Sequence, residues 1–283
     1  MAFLSTSQSA GVVAPIPPLA AAERAPLVTL AQTGALPDSD LVLRFFPVYD
    51  FQRQGVAALF CTPMCDRVGA EAIYGHRAFR DFSVEEWTAI DCAMLSHAVD
   101  FADLLARNGI VVAVGASVSF ATLSDPRGRV AYREALRGSH AREQTYLVVK
   151  LEDIPAATAG KRIGEIASCL KGLAPRVWVH LPGSHVPLGG HDALSAAGLV
   201  LSMPAKLPLH GMQTEARWLA KQATQHAALA CMDHVDTAAE LDTTRAAGVR
   251  FVAGHALHRP ALASAAPLDE IRASLYGEVA GSR

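Results

Sequence analysis

The stretch Leu229–Pro260, LACMDHVDTAAELDTTRAAGVRFVAGHALHRP, decides the fold of this chain because it contains a complete strand–helix–strand unit. It opens with an apolar run that predicts one strand, and Phe251–Ala253 predicts another at its end. Between them, Thr237 and Glu240 form a capping box, in which a hydroxyl and a carboxylate satisfy free N–H groups at a helix start. Gly248 suits the left-handed turn that closes a helix. Short connections around such a helix indicate a crossover between parallel strands.

Polar residues follow the first strand of this unit. Asp233 and His234 come directly after the apolar run Leu229–Met232. Parallel α/β folds keep their chemistry at the carboxyl ends of their strands. We therefore expect the functional site of this chain at the edge where Asp233 lies.

Length and composition narrow the class of protein. A chain of 283 residues with 51% hydrophobic residues has enough material for one α/β barrel, a fold of about 250 residues. Charged residues make up 18%, below the usual share of about 25%. The net charge of −2 and the lack of a Lys/Arg cluster argue against a nucleic-acid partner.

Cysteine content and hydropathy indicate a cytoplasmic protein without a membrane segment. The five cysteines are odd in number and scattered, which does not suit a disulfide framework. Cys61 and Cys65 lack a second pair that would complete a zinc site. No run of about 18 apolar residues is present to span a bilayer.

The chain divides into an extension and one domain. Residues 1–38 are rich in Ala, Ser and Pro and are predicted to be a flexible extension, and residues 39–283 form the barrel domain. Eight strands are predicted, at Leu41–Tyr49, Val56–Phe60, Ile110–Val114, Tyr146–Leu151, Arg176–Leu181, Leu199–Leu201, Leu229–Met232 and Phe251–Ala253. Helices are predicted at 84–108, 130–137, 160–173, 192–197, 212–227, 237–248 and 261–275, the first of them capped by Ser83 and Glu86.

Three segments resemble EAL domains, the barrel family that hydrolyses or senses the signalling nucleotide cyclic di-GMP. Ala253–Pro260 fits the family pattern Q-G-x-L-x-x-x-P, with Ala253 in place of the glutamine. Phe46–Asp50 and Gly55–Cys61 fit Q-P-I-hydrophobic-D and G-V-E-A-L-L-R. The resemblance implies an α/β fold, a (β/α)8 TIM-like barrel of the EAL type that opens with an antiparallel hairpin.

The resemblance also implies which positions correspond to the family's metal-binding and catalytic residues. These positions are Ala57, Ser117, Lys150, His180, Leu181, Ser202, Asp233 and Ala253. Only Asp233 among them is a carboxylate, and Lys150 stands where a metal-binding glutamate is expected. We expect no cofactor here, because binding of Mg²⁺ or Mn²⁺ should be lost beside a lysine. Lys150 is predicted to pair with Asp233, the alternative being that it points to solvent or pairs locally with Glu152 or Asp153.

The function that follows is a catalytically inactive, EAL-like regulatory protein that acts through a protein partner in cyclic di-GMP-type signalling. Family barrels often dimerise, so by analogy a homodimer is an expectation for this chain. One alternative is a cyclic di-GMP receptor that does not hydrolyse the nucleotide, with Asp233, Asp236 and Arg259 as binding residues. Against it, Cys61 replaces the family's phosphate-binding arginine. The other alternative is an active phosphodiesterase.

A zinc site is a separate hypothesis, because several histidines follow predicted strand ends. These are His180, His185, His191, His234, His255 and His258. Three imidazoles that converge in space could hold zinc, but this spacing follows no known ligand pattern. No glycine-rich phosphate loop, dinucleotide fingerprint or Gly-x-Ser-x-Gly motif is present.

Overall fold

The computed structural model describes residues 41–65, 73–74, 82–138, 146–184, 188, 196–204, 207–257, 262–263 and 268–276. The extension predicted over residues 1–38 therefore lies outside the described residues, as do Arg259, His185, His191 and His258.

The strands form one closed barrel. They are β1 Leu41–Asp50, β2 Gly55–Cys65, β3 Ile73–Tyr74, β4 Ala113–Ser119, β5 Leu147–Glu152, β6 Arg176–Leu181, β7 Gly198–Ser202, β8 Leu229–Asp233, β9 Phe251–Val252 and β10 Leu262–Ala263. Parallel pairs join β2 to β4 and each following strand to the next as far as β9. The sheet closes because β1 pairs antiparallel with both β2 and β9. The predicted barrel and its opening hairpin are confirmed.

Helices follow most of the strands. They are α1 Val84–Arg107, α2 Phe120–Ser124, α3 Pro126–Gly138, α4 Gly160–Ser168, α5 Leu209–Gln225, α6 Ala238–Ala246 and α7 Leu268–Tyr276, with a 3₁₀ turn at His255–Leu257. Both predicted capping boxes are present, Ser83 with Glu86 and Thr237 with Glu240. None of the helices in the described ranges combines the length and apolar character that crossing a bilayer requires.

Several predicted elements have other bounds in the structure, and one lies mostly outside the described residues. The strand predicted at Ile110–Val114 runs instead from Ala113 to Ser119, because the backbone N–H of Ile110 still bonds the end of α1, at the carbonyl of Leu105. The helix predicted over 261–275 begins at Leu268, and β10 precedes it and pairs with β1. Most of the helix predicted at 192–197 lies outside the described residues.

Side chains alternate between the two faces of each strand and so form two hydrophobic cores, one between the strands and the helices and one inside the barrel. Val149, for example, faces the helices together with residues of α1, whereas its neighbour Val148 belongs to a smaller cluster inside the barrel. That inner cluster consists of Val48, Ala58, Phe60, Val148, Trp178, Val200, Cys231, Phe251 and Ala253. These side chains fill the barrel below its mouth, as expected for a barrel with eight strands.

Two glycines make room for the large rings of the inner cluster. A Cβ at Gly115 would lie 2.3 Å from the Phe60 ring, and one at Gly198 would lie 2.7 Å from the Trp178 ring. Each glycine is the strand partner of the aromatic residue, so the missing side chain leaves the space that the ring occupies. The floor of the candidate site depends on these two pairs.

Candidate functional site

A pocket of about 480 Å³ opens at the carboxyl ends of the parallel strands. Its wall is built by residues at the ends of β5, β6, β8 and β9 and by Phe46 and Pro47 of β1. This is the edge at which α/β barrels hold their functional side chains. The sequence prediction that the site lies beside Asp233 agrees with this pocket.

The floor of the pocket is aromatic. The rings of Phe60 and Trp178 lie 5.5 Å apart between centroids, and those of Trp178 and Phe251 lie 5.7 Å apart. Trp178 is buried, and its indole N–H has no hydrogen-bond acceptor among the residues that the structure describes. The strand ends thus surround an apolar base with one unused donor.

Lys150 rises from this floor and pairs with Glu152. The two residues lie on the same face of β5, because side chains two apart in a strand point the same way. The Lys150 ammonium contacts Oε1 of Glu152 and lies 4.7 Å from the centroid of the Phe60 ring. The predicted ion pair of Lys150 with Asp233 is therefore wrong, and the local alternative with Glu152 is the one observed.

Asp233 still acts on Lys150 through charge. Burial would lower the pKa of Lys150, but the negative charges of Glu152 and Asp233 outweigh burial and raise this pKa. Burial likewise would raise the pKa of Asp233, and the positive charge of Lys150 reverses that effect, so the pKa of this carboxyl is lowered. Both groups are consequently charged at neutral pH.

His180 links Glu152 to Ser202. Its Nε2 lies 2.8 Å from Oγ of Ser202, and its Nδ1 lies 4.0 Å from Oε1 of Glu152. These side chains come from β5, β6 and β7, three strands in succession along the barrel wall. On the polar side of the pocket, Lys150, Glu152, His180 and Ser202 therefore lie next to one another in that order.

The opposite rim is held by Asp236 and His255. Oδ1 of Asp236 accepts hydrogen bonds from the backbone N–H of His255 at 3.0 Å and lies 2.8 Å from its Nδ1. Burial would raise the pKa of Asp236, but its bonds to His255 lower it. Gly254, with a φ of +143°, precedes His255, and a Cβ there would lie 2.2 Å from the carbonyl oxygen of Val235. Only glycine permits this close approach of the two loops.

Most of the predicted site positions meet at this pocket, but not all. Lys150, His180, Leu181, Asp233, Asp236 and Ala253 line it. Ser202 reaches it through the bond to His180. Ser117 is fully buried and does not line it. Ala57 lies at an irregularity in the β1–β2 pairing, where Val48 pairs with Ala58 and Tyr49 with Val56.

The residues on β2 that face the pocket are Phe60 and Thr62. Together with Ala58 of the inner cluster they have the period of two expected of one strand face. The irregularity in the β1–β2 pairing leaves Ala57 without a partner on β1. The sequence alone did not indicate this irregularity, so the inward face of β2 could not be assigned from it.

Sequence reasoning also missed the inward role of Glu152 and the aromatic floor. The signal for Glu152 was its spacing of two from Lys150, which places both on one strand face. The same spacing joins Trp178 to His180 on β6. Of the histidines considered for zinc, His180, His234 and His255 line the pocket. Within the described ranges, no three His, Cys, Asp or Glu side chains are grouped so that they could hold a metal ion.

The chain matches no protein-family model and no curated protein. Its fold is similar to solved EAL domains. The FimX EAL domain of Xanthomonas citri, in complex with c-di-GMP, is 18% identical over 83% of this chain and 92% of that chain, with a TM-score of 0.59. The FimX EAL domain of Pseudomonas aeruginosa, bound to c-di-GMP, is 15% identical over 86% and 98%, with a TM-score of 0.58.

A third similar structure is the PaMucR phosphodiesterase in its c-di-GMP complex, 15% identical over 84% of this chain and 96% of that chain, with a TM-score of 0.63. Identities this low establish the fold and no more. The fold is the EAL-like α/β barrel that the sequence predicted.

Proposed function

We propose that this chain is an EAL-like barrel that takes part in cyclic di-GMP-type signalling without hydrolysing the nucleotide, and that it regulates a protein partner by binding it. The observation that carries the proposal is the Lys150 ammonium, paired with Glu152 over the ring of Phe60. By the family resemblance this is the position of a metal-binding glutamate.

The charge balance supports the absence of hydrolysis. Two-ion cleavage of a phosphodiester needs several hard oxygen ligands around cations about 4 Å apart. In this pocket Glu152 is engaged by Lys150, and a cation next to Asp233 would also meet the positive charge of that lysine. The donor set of the described residues does not fit a two-ion site.

A cyclic di-GMP receptor is the second candidate, and the pocket favours it. A mouth of about 480 Å³ with an aromatic floor is large enough to admit part of a nucleotide. Three similar barrels were solved with c-di-GMP. Arg259, proposed as a phosphate contact for this candidate, lies outside the described residues.

Hydrolysis and binding are tested on one preparation of the full chain. Cyclic di-GMP is incubated with the protein and Mg²⁺ or Mn²⁺, and the linear product is followed by chromatography, with the PaMucR phosphodiesterase as the positive control. We expect no product above the protein-free rate. Turnover that Asp233→Ala abolishes would make the chain a phosphodiesterase and overturn the proposal.

Calorimetry with cyclic di-GMP then separates regulator from receptor. If the chain is a regulatory protein that does not bind the nucleotide, we expect no heat of binding up to high micromolar concentrations of cyclic di-GMP. Saturable binding at low micromolar concentration, without turnover, would favour the receptor. Because the two assays are independent, inactivity and ligand binding are decided separately.

A further inference from the structure

The end of the barrel opposite the pocket has an apolar surface that the described residues leave partly exposed. This end, called the base below, is where the parallel strands begin. The inner cluster ends there against half-buried side chains within two residues of the starts of β2, β4, β7 and β8, which are Ala57, Ala113, Ala197 and Leu229. Because three of these four residues are alanines, the described side chains that close the inner core at the base are short.

Two larger apolar side chains adjoin this surface. Val111, two residues before β4, is 67% exposed, and Tyr146, directly before β5, is 44% exposed. The backbone N–H of Val114 donates to the carbonyl of Tyr146 at 3.0 Å, so the two segments lie side by side. Single exposed apolar residues are common, but a continuous apolar surface marks an interaction site. The base has such a surface.

Arginines stand around this apolar surface. Arg176 is exposed and begins β6, which places it between the starts of β5 and β7. It shares the inward face of its strand with Trp178, because side chains two apart in a strand point the same way. Two more arginines lie at the base, Arg53 in the turn between β1 and β2 and Arg250 directly before β9.

The described charges at the strand starts and in the β1–β2 turn have a positive excess. The three arginines meet one carboxylate there, Asp50, which is 1% exposed and binds Arg250 at 2.8 Å. Nε of Arg53 lies 3.9 Å from the same carboxylate, and 78% of the Arg53 side chain is exposed. One buried carboxylate cannot neutralise three arginines. The base therefore presents positive charge, although the whole chain carries −2.

We propose that the base of the barrel docks the protein partner, through a segment in which Asp or Glu residues flank a bulky apolar side chain. The planar guanidinium of Arg176 suits a carboxylate, which it binds through two parallel hydrogen bonds. The bulky side chain covers the alanines of the base and contacts Val111 and Tyr146. The proposal rests on the regulatory function proposed above, because it assigns a surface and a chemistry to that partner.

The same features disfavour other occupants of the base. A second copy meeting it face to face would bring Arg53 and Arg176 of each copy together, and juxtaposed like charges cost free energy. A bilayer takes up large apolar side chains that protrude, whereas the described centre of the base consists of short ones. Single-stranded nucleic acid stacks its bases on aromatic side chains, and Tyr146 is the one exposed aromatic residue described at the base.

The test uses the full chain and a fluorescein-labelled peptide, Glu-Asp-Leu-Phe-Asp-Glu, whose fluorescence anisotropy reports binding. One matched probe replaces the acids by their amides, and the other replaces Leu-Phe by Gly-Ser. The base variants are Arg176→Glu and Val111→Ser. The controls are Arg127→Glu, an exposed arginine near the start of α3, and Val130→Ser, a valine of α3 that is 55% exposed.

We expect saturable binding of the acidic, apolar probe and at least about tenfold weaker binding of either matched probe. Arg176→Glu should weaken the first probe at least about tenfold and Val111→Ser about threefold, whereas both controls should leave it unchanged. Arg176→Lys keeps the charge and should retain most of the binding, and circular dichroism checks the folding of each variant. No saturable binding by the unaltered protein, or an equal loss in the controls, overturns the docking surface.

The other occupants are tested with the same variants. The probes are vesicles of three parts phosphatidylcholine and one part phosphatidylserine, a single-stranded oligothymidylate, and the chain itself in sedimentation. Tighter binding of vesicles or oligonucleotide that Arg176→Glu removes, or a dimer that Val111→Ser dissociates, overturns the protein segment as the occupant. Failure of the proposed function is distinct, because turnover and nucleotide binding at the mouth are measured without peptide.

Discussion

Lys150 forms its ion pair with Glu152, two residues further along β5, and not with Asp233 on β8. The pair is almost fully buried, with side-chain exposures of 8% and 10%. The lysine is thus paired within its own strand, while the carboxylate of Asp233 across the mouth acts on it through charge alone. The proposed function depends on this arrangement.

Removing one member of the pair should destabilise the protein more than removing both. Glu152→Gln leaves a buried ammonium without its partner, and such a loss costs about 3 kcal/mol of unfolding free energy. Lys150→Met with Glu152→Gln removes both charges, and we expect the free energy of unfolding to return to within about 1 kcal/mol of the original. Urea unfolding of the single and double variants measures the coupling.

The exposed pair of Arg162 and Glu165 on α4 is the matched control for that cycle. Both side chains are 49% exposed, with Nη1 and Oε2 3.1 Å apart. Solvent-exposed pairs of this kind contribute about 0.5 kcal/mol. A coupling between Lys150 and Glu152 no larger than this control would contradict a buried, structurally important pair.

Asp50, at the end of the barrel opposite the pocket, should make the free energy of unfolding depend on pH in the acidic range. This carboxylate is 1% exposed and binds the guanidinium of Arg250 at 2.8 Å, which ties β1 to the residue before β9. Burial would raise the pKa of Asp50, but the bonds from Arg250 and from two backbone N–H groups lower it below its usual 3.8. Below that usual value the unfolded chain binds more protons, so stability falls as pH decreases toward the folded pKa.

The expected result is a free energy of unfolding that declines with a shallower slope below about pH 4 in Asp50→Asn than in the unaltered protein. At neutral pH the variant should be less stable by about 2 kcal/mol, because a hydrogen-bonded charge pair is lost. Unfolding by urea at several acidic pH values provides the comparison. An identical acid slope in both proteins would show that Asp50 does not titrate differently in the folded state.

Gly254→Ala should disturb the rim of the pocket. The new Cβ would lie 2.2 Å from the Val235 carbonyl oxygen, and a φ of +143° strains any residue other than glycine. We expect a loss of at least about 2 kcal/mol in the free energy of unfolding. Gly183→Ala, where a Cβ would meet nothing within 4 Å, is the control. Equal stability of the two variants would contradict the close contact at Val235.

The sequence predicted the strands and helices because each unit carries its own local signals, and the resemblance to EAL domains implied that they form a barrel. Capping boxes at Ser83 and Thr237 and the left-handed Gly248, with φ at +83°, are encoded within a few residues and appear as expected. Apolar runs then mark the strands between the helices. Local chemistry of this kind needs no knowledge of neighbours in space.

The partner of Lys150 and the inward face of β2 depend on register. The pairing irregularity at Val48 and Tyr49 changes which residues of β2 point inward, and no residue type there announces it. The choice of Lys150 between Glu152 and Asp233 depends on distances across the mouth. The inward face of β2 and the partner of Lys150 are both set only in the assembled barrel. The sequence could therefore predict most of the residues at the site, but not which of them contact one another.

Lys150→Glu is the sharpest test of why the mouth should not hold metal. The change replaces one positive charge by one negative charge beside Glu152 and Asp233. Three neighbouring carboxylates then offer an oxygen ligand set for a divalent cation. We expect calorimetry with Mn²⁺ to give saturable binding in Lys150→Glu and none in the unaltered chain, and we expect Lys150→Glu with Asp233→Asn to lose it. Hydrolysis of cyclic di-GMP should stay absent, because Ala57 supplies no carboxylate and Ser117 does not line the pocket. Equal Mn²⁺ binding before and after the change, removed by Asp233→Asn, would mean that the Lys150 ammonium does not exclude the ion, and the charge argument for an inactive barrel would fail with it.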